Sequence, residues 1–377
     1  MAKKAYIGVS GVARRIKKAY IGVNGVARKI KKMYIGVNGV ARCFFSSGEL
    51  SYYGTTTGLS KARYGLAGTS VGDYALFAGG NYNSVQQSTV DAYDASLTKS
   101  SPTALTSARR YLAGVTNGDL AFFAGGIGSN PITSMDVYNA SLTKESVTVL
   151  SKARYNLAAA PVGDYVLFAG GRTDSANSNV VDAYNRSGTR SIPTTLSTAR
   201  NSLAGASNGG HAFFGGGAGL DSVVDVYDSS LTRTTLTSYP LSQARSSLAA
   251  ASVGDHVLFA GGYATPDNVA TMTSVVDVYN KSLVRTTATS LSVGRRYLDG
   301  ASLGEYALFG GGETSSAASN VVDAYDVSLT RTNPTGLAAA ARQLAATPVG
   351  EYILFAGGYD QSSSAYISSV TAYKVSS

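Results

Sequence analysis

Seven times along the chain an apolar run ends in two glycines: YALFAGG (74–80), LAFFAGG (120–126), YVLFAGG (165–171), HAFFGGG (211–217), HVLFAGG (256–262), YALFGGG (306–312) and YILFAGG (352–358). The last glycines, Gly80, Gly126, Gly171, Gly217, Gly262, Gly312 and Gly358, follow one another at steps of 46, 45, 46, 45, 50 and 46 residues. A unit this short cannot cover its own apolar surface, so neighbouring units must pack on it and a closed ring removes the exposed ends. The runs are continuously apolar rather than alternating, which reads as a strand buried on both faces.

Every unit repeats other parts as well. A phrase such as SKARYGLAG (60–68) or SARRYLAG (107–114) precedes a turn such as VGDY (71–74) or NGDL (117–120). After the glycines come a variable loop and a phrase such as VDAYDASLT (90–98). Tight turns at the Gly-Asp and Asn-Gly pairs separate these into short strands. We read four strands per unit, the fourth a weak outer edge such as LTKSSPTAL. The last unit stops after VTAYKVSS (370–377), short of its fourth strand, while ELSYYGTTTGL (49–59) precedes the first unit and matches the outer strands. The segment about 49–57 is therefore expected to close the last blade.

The glycine doublet after an apolar strand, the Tyr-containing strand about a dozen residues on, and the period near fifty resemble Kelch repeats. The resemblance covers 49–377 and implies an all-β, seven-bladed β-propeller. Kelch units usually carry a Trp in the outer strand, and this chain has none. Leu97, Leu142, Leu231, Leu283 and Leu329 stand about where such packing residues are expected.

Residues 1–44 are a different text. KKAYIGVSGVARRI (3–16), KKAYIGVNGVARKIKK (17–32) and KKMYIGVNGVARCF (31–44) restate one basic phrase. This head holds eleven of the 32 Lys and Arg and no acid, leaving 21 basic groups against all 23 acidic ones in the rest. The whole excess of positive charge thus sits in one interaction segment, 1–48. Asn-Gly or Ser-Gly between YIGV and VARKI is a hairpin signal, with Val9 opposite Val12. Three hairpins could join in a six-stranded meander or pair with another chain. Nucleic acid, a membrane surface and an acidic protein assembly are candidate partners for the charge; the first is disfavoured because the cations sit at hairpin ends without a stacking platform. No apolar run is long enough to span a membrane, and no signal peptide is read.

Tandem AYIGVxGVARKIKK units resemble the heads of virion and prophage proteins of Gram-positive bacteria. That likeness implies a virion location and an anchoring role for Lys17, Lys18, Arg28, Lys29, Lys31 and Lys32, which would meet other virion proteins.

Chemistry is sparse in the repeats. His211 and His256 occupy a slot that is Tyr in four sister units and read as strand residues; Cys43 is the one cysteine, outside the repeats. No metal, cofactor or enzymatic activity is expected. Arg63, Arg109, Arg154, Arg200, Arg245 and Arg295 recur at one slot, which argues for a tie within each blade to Asp91, Asp136, Asp182, Asp225, Asp277 and Asp323. Variation is concentrated just after this slot, beside fixed neighbours. The expected ligand-binding rim is Tyr64, Arg110, Tyr111, Tyr155, Asn156, Arg296, Tyr297, Arg342 and Gln343, joined by the variable loops after the glycines. Such a mixture of aromatic and hydrogen-bonding groups suits recognition of a host-surface glycan or protein. A purely structural capsid or tail decoration protein is the alternative, an enzyme acting on cell-wall sugar the third reading, and self-association is left open.

Overall fold

The computed structural model describes residues 48–376 except 220 and 265–270, and the backbone of three hairpins within 6–46. The hairpins pair Tyr6–Val9 with Val12–Arg15, Ala19–Val23 with Val26–Ile30, and Lys32–Val37 with Val40–Ser46. Val9 faces Val12 across the first turn. Each hairpin forms its own two-stranded sheet, so the described strands do not join in a meander. Lysine-rich junctions in the sequence oppose edge-to-edge pairing of such short strands.

Seven four-stranded antiparallel sheets follow, the blades of a seven-bladed β-propeller. In blade 1 the order from the axis outward is Ala67–Val71, Tyr74–Ala78, Val90–Asp94 and Lys99–Ser100. Ala75, Leu76, Phe77 and Ala78 of the second strand are fully buried, because the sheets of neighbouring blades cover both faces. Outer strands are only two or three residues long in blades 1–6. Blade 7 takes Ala345–Val349, Tyr352–Ala356 and Val370–Ser376 from one end of the chain and Glu49–Thr56 from the other. Ser376 pairs with Glu49 and Val370 with Thr56.

The glycine doublets exist because blades touch there through backbone. Gly79 has φ +68°, and a Cβ on it would lie 2.6 Å from the carbonyl oxygen of Arg109 in the next blade. The next amide, Gly80 N–H, donates to that same carbonyl at 2.8 Å. The bond recurs at every seam and ends with Gly358 N–H on the Arg63 carbonyl, which joins blade 7 to blade 1.

The recurring arginines are ties within the blade. Arg63, Arg109, Arg154, Arg200, Arg245 and Arg295 meet Asp91, Asp136, Asp182, Asp225, Asp277 and Asp323 at 2.6–2.9 Å, with all twelve side chains at 0% exposure. Each guanidinium also donates to the carbonyl of the second-strand phenylalanine, such as Phe77 or Phe123. Each aspartate also accepts a loop amide, such as Ser60 N–H at 3.2 Å or Thr106 N–H at 3.0 Å. A second cation, from Lys99 in blade 1 to Arg331 in blade 6, approaches the other carboxylate oxygen. Burial lowers the pKa of Arg63, Arg109, Arg154, Arg245 and Arg295, to about 10 for Arg154. Burial alone would raise the carboxyls of Asp136 and Asp323, but their cationic and N–H partners outweigh it and hold both below the usual range.

The five leucines pack as the sequence suggests, but from an unexpected backbone position. Leu97, Leu142, Leu231, Leu283 and Leu329 sit at φ +59° to +64° in the turn into the outer strand, and Gly188 holds that place in blade 3. Their side chains do pack, Leu97 within the core between blades 7 and 1, but from a left-handed turn position that disfavours bulky residues.

Candidate functional site

Seven residues just inside the variable slot bend the chain around the propeller axis. Gly65, Tyr111, Asn156, Ser202, Ser247, Tyr297 and Gln343 all have φ between +51° and +65°. In that conformation each N–H donates to the carbonyl of its counterpart in the preceding blade. Tyr111 N–H meets Gly65 O at 2.8 Å, Asn156 meets Tyr111, and so on round to Gly65 N–H on Gln343 O at 2.8 Å. The seven bonds form a closed ring. A non-glycine residue in the left-handed region costs about 1 kcal/mol, which the ring bonds and the packing of these side chains must offset. The single glycine among seven varied residues, Gly65, is the sequence trace of this geometry.

In six of the seven blades the residue before the ring position pairs with the residue after the glycines. Tyr64 bridges Asn81, Arg110 bridges Ile127, Tyr155 bridges Arg172, Arg296 bridges Glu313 and Arg342 bridges Tyr359. Slot and variable loop therefore share one face of the propeller, held by backbone bonds that leave the side chains free to vary.

On that face blades 1, 2, 6 and 7 build a pocket of about 310 Å³ lined by Tyr64, Tyr111, Arg296, Tyr297, Arg342, Gln343, Tyr359 and Tyr366. It overlies the mouth of the central channel, about 440 Å³, to which all seven ring residues contribute. Six of the nine rim residues singled out from the sequence line the pocket. Arg110 stands at its edge, donating to the Tyr64 hydroxyl at 2.7 Å with its guanidinium 5.0 Å from the centre of the Tyr111 ring. Asn156 lines the channel instead, and Tyr155 lies outside the pocket lining. The anchoring set is a separate matter: Lys17, Lys18 and Lys31 lie outside the described residues, and Arg28, Lys29 and Lys32 are described in backbone only.

Three contributors were not singled out from the sequence. Tyr359 and Tyr366 come from the loop after the last glycines; their rings lie 5.2 Å apart, and Tyr64 packs on both at 5.8 and 6.0 Å. Glu313 follows the sixth doublet and is the counter-ion beneath the wall. Its carboxylate, 3% exposed, accepts from Arg296 Nε at 2.6 Å and Arg342 Nη1 at 2.5 Å. The Arg296 guanidinium also covers Tyr297 and Tyr263 at 4.8 and 5.0 Å. Burial, with Tyr64 beside it, raises the Tyr111 hydroxyl above its ordinary pKa. It stays a neutral donor and acceptor, and Gln343 Nε2 reaches it at 3.4 Å.

The channel has one irregularity. Asp299 occupies the inner-strand position that is Ala67, Ala113, Ala158, Ala204, Ala249 and Ala345 in the other blades. Its carboxylate accepts Gly300 N–H and, across the seam to blade 7, Ala346 N–H, both at 2.8 Å. Burial raises its pKa to about 6. Among the described residues lining the channel it is the one carboxylate.

No family model and no curated protein sequence matches the chain. Among solved structures the chain is similar to that of YjhT, with 14% sequence identity and a TM-score of 0.57 over 74% of this chain and 99% of that one. At that identity the likeness is one of fold: a β-propeller, a scaffold that supports binding and enzymatic sites alike.

Proposed function

We propose that this is an attachment protein of a bacteriophage particle, held to other virion proteins by its basic head and presenting the tyrosine–arginine pocket to a glycan or protein on the host surface. One observation carries the reading. The chain enters the propeller at Glu49, paired with Ser376, at the end of blade 7 opposite the end where Val370 and the glycine doublet lead into the pocket face. A molecule tethered through its head would thus turn the pocket outward. The pocket itself supports recognition more than reaction. Its arginines are tied to a buried glutamate and stand among tyrosine rings, an arrangement that favours recognition by charge and stacking.

Phage carrying the chain without residues 1–47 should lack the protein in purified particles while the propeller still folds. Unchanged incorporation would remove the anchoring role. Phage with Tyr111→Ala or Tyr297→Ala should incorporate the protein normally and adsorb to host cells several-fold more slowly, the loss expected when an aromatic anchor is truncated. Normal adsorption by both would remove the pocket from the reading.

A further inference from the structure

We infer that the pocket selects a carboxylated saccharide: an acidic sugar whose carboxylate meets the guanidinium groups while its ring lies on tyrosine. The inference rests on the binding role proposed above and names its ligand class.

Charge is the first argument. Arg110, Arg296 and Arg342 converge on the pocket and its edge, and Glu313 is the acid tied to the last two. Glu313 takes one N–H from each of two guanidinium groups that have five apiece. It fixes their position and leaves most of their donors for a ligand, as a preorganised anion site requires. The surplus positive charge is unmatched by a neutral ligand.

The walls are the second. Tyr64, Tyr111, Tyr297, Tyr359 and Tyr366 present ring faces and hydroxyls together. Such surfaces take the C–H face of a pyranose on the ring and its hydroxyls on the rim. The volume, about 310 Å³, lies at the small end of ligand pockets and suits one or two sugar rings.

The third argument separates a saccharide from an acidic peptide. A peptide bound in extended form draws affinity from free backbone N–H and C=O groups along a strand edge. Here the Tyr111, Tyr297 and Gln343 amides and carbonyls are spent on the ring, and Tyr64, Arg296, Arg342 and Tyr359 are bonded in the bridges. What faces the pocket is side chain, which fits a ligand recognised by charge and ring stacking.

The test uses full-length protein on immobilised oligosaccharides of three acidic types (uronate, pyruvate ketal and lactyl ether), on the same compounds with carboxyls reduced to alcohols, and on poly-L-glutamate. At least one acidic type should bind about tenfold or more tighter than its reduced form, the worth of a charge-assisted hydrogen bond. Arg296→Met should abolish most of that preference, weakening binding of the acidic form far more than that of the reduced form. Arg110→Met, which leaves the Glu313 pair intact, should do so in part, and thermal melting confirms that both variants fold. Equal binding of acidic and reduced forms, binding of none, or equally tight capture of poly-L-glutamate would overturn the inference. If cells still lose adsorption with Tyr111→Ala in any of those cases, the binding role survives and only the ligand class fails.

Discussion

Blades 1–6 each seal an arginine against an aspartate, whereas blade 7 has Ala341 and Thr371 in the same two places and borrows its outer strand from the start of the propeller. The two departures belong together. Thr371 Oγ1 accepts Ala338 N–H at 3.1 Å, doing for the loop what Asp91 does for Ser60. Tyr52 stands opposite Tyr373 where Lys99 stands opposite Tyr93, so the second cation is gone as well. All three charges vanish at once, which is how a buried ionic cluster can be dispensed with: losing one partner strands a charge, losing all leaves an ordinary packed core. The comparison teaches that the ion pair is one solution to a loop-capping problem and that ring closure is another source of rigidity.

The strongest way to break the comparison is to take away closure. Deleting residues 1–57 removes the strand whose seven registered positions pair with Val370–Ser376, along with the edge-on contact of Tyr52 with Tyr373 at 5.7 Å. Melting temperature should fall on the order of 10 °C or more, or the transition should lose cooperativity. Deleting 1–47 should leave it nearly unchanged. Equal melting of the two truncations would show that blade 7 does not depend on Glu49–Thr56.

Next in size is the ion pair itself. Arg245→Met in blade 5 leaves Asp277, at 0% exposure, with only its outer partner Arg285 and the amide of Ser242. It should cost about 3–5 kcal/mol in chemical denaturation. Adding Asp277→Thr, the blade 7 residue, should restore at least about 1.5 kcal/mol of that. Additive losses in the double variant would mean that Thr371 works in blade 7 for some other reason.

A smaller effect lies at the seam between blades 6 and 7. Asp299 has its pKa raised to about 6, above the unfolded value near 3.9. Between those limits the native state holds the extra proton, so the contribution of Asp299 to stability is fully present below pH 4 and is lost as pH rises to about 6. Asp299→Asn should remove that decline from the pH–stability curve and gain at most about 3 kcal/mol at pH 7 relative to wild type. A difference between wild type and Asp299→Asn that does not change from pH 4 to 6 would refute the assignment.

The comparison also shows what a sequence exposes and what it hides. Seven doublets at near-constant steps made the blade count legible, because each glycine pair is required by the same carbonyl of the next blade. The Arg–Asp tie was legible for the same reason, six identical pairs at fixed spacing. The rim was legible only as variation beside constancy. That signal located Tyr64, Tyr111, Tyr297 and Arg342 but equally admitted Tyr155, which the asymmetry of the face leaves outside the pocket. Tyr359, Tyr366 and Glu313 were hidden in loops of unequal length, where alignment gives no slot to compare. Glu313 draws its two arginines together from separate places in the sequence, Arg342 lying twenty-nine residues on in the next blade. Asp299 was in plain view as YLDG among LAG phrases, yet its partner Ala346 N–H lies across a seam that no local pattern records.

The finest test puts the missing pair back. Ala341→Arg with Thr371→Asp would recreate the common arrangement in blade 7, since Gly358 stands against Ala341 as Gly80 stands against Arg63. The new aspartate would regain the Ala338 amide and the guanidinium, but not a second cation, because Tyr52 replaces it. Desolvating both charges then roughly balances their attraction, and the double variant should lie within about 1 kcal/mol of wild type. Either single change should be worse by about 2 kcal/mol or more, because each buries one charge without its mate. A double variant as unstable as the worse single would mean that closure from two chain ends has reshaped blade 7 too far to accept the pair, and that the two departures arose as one.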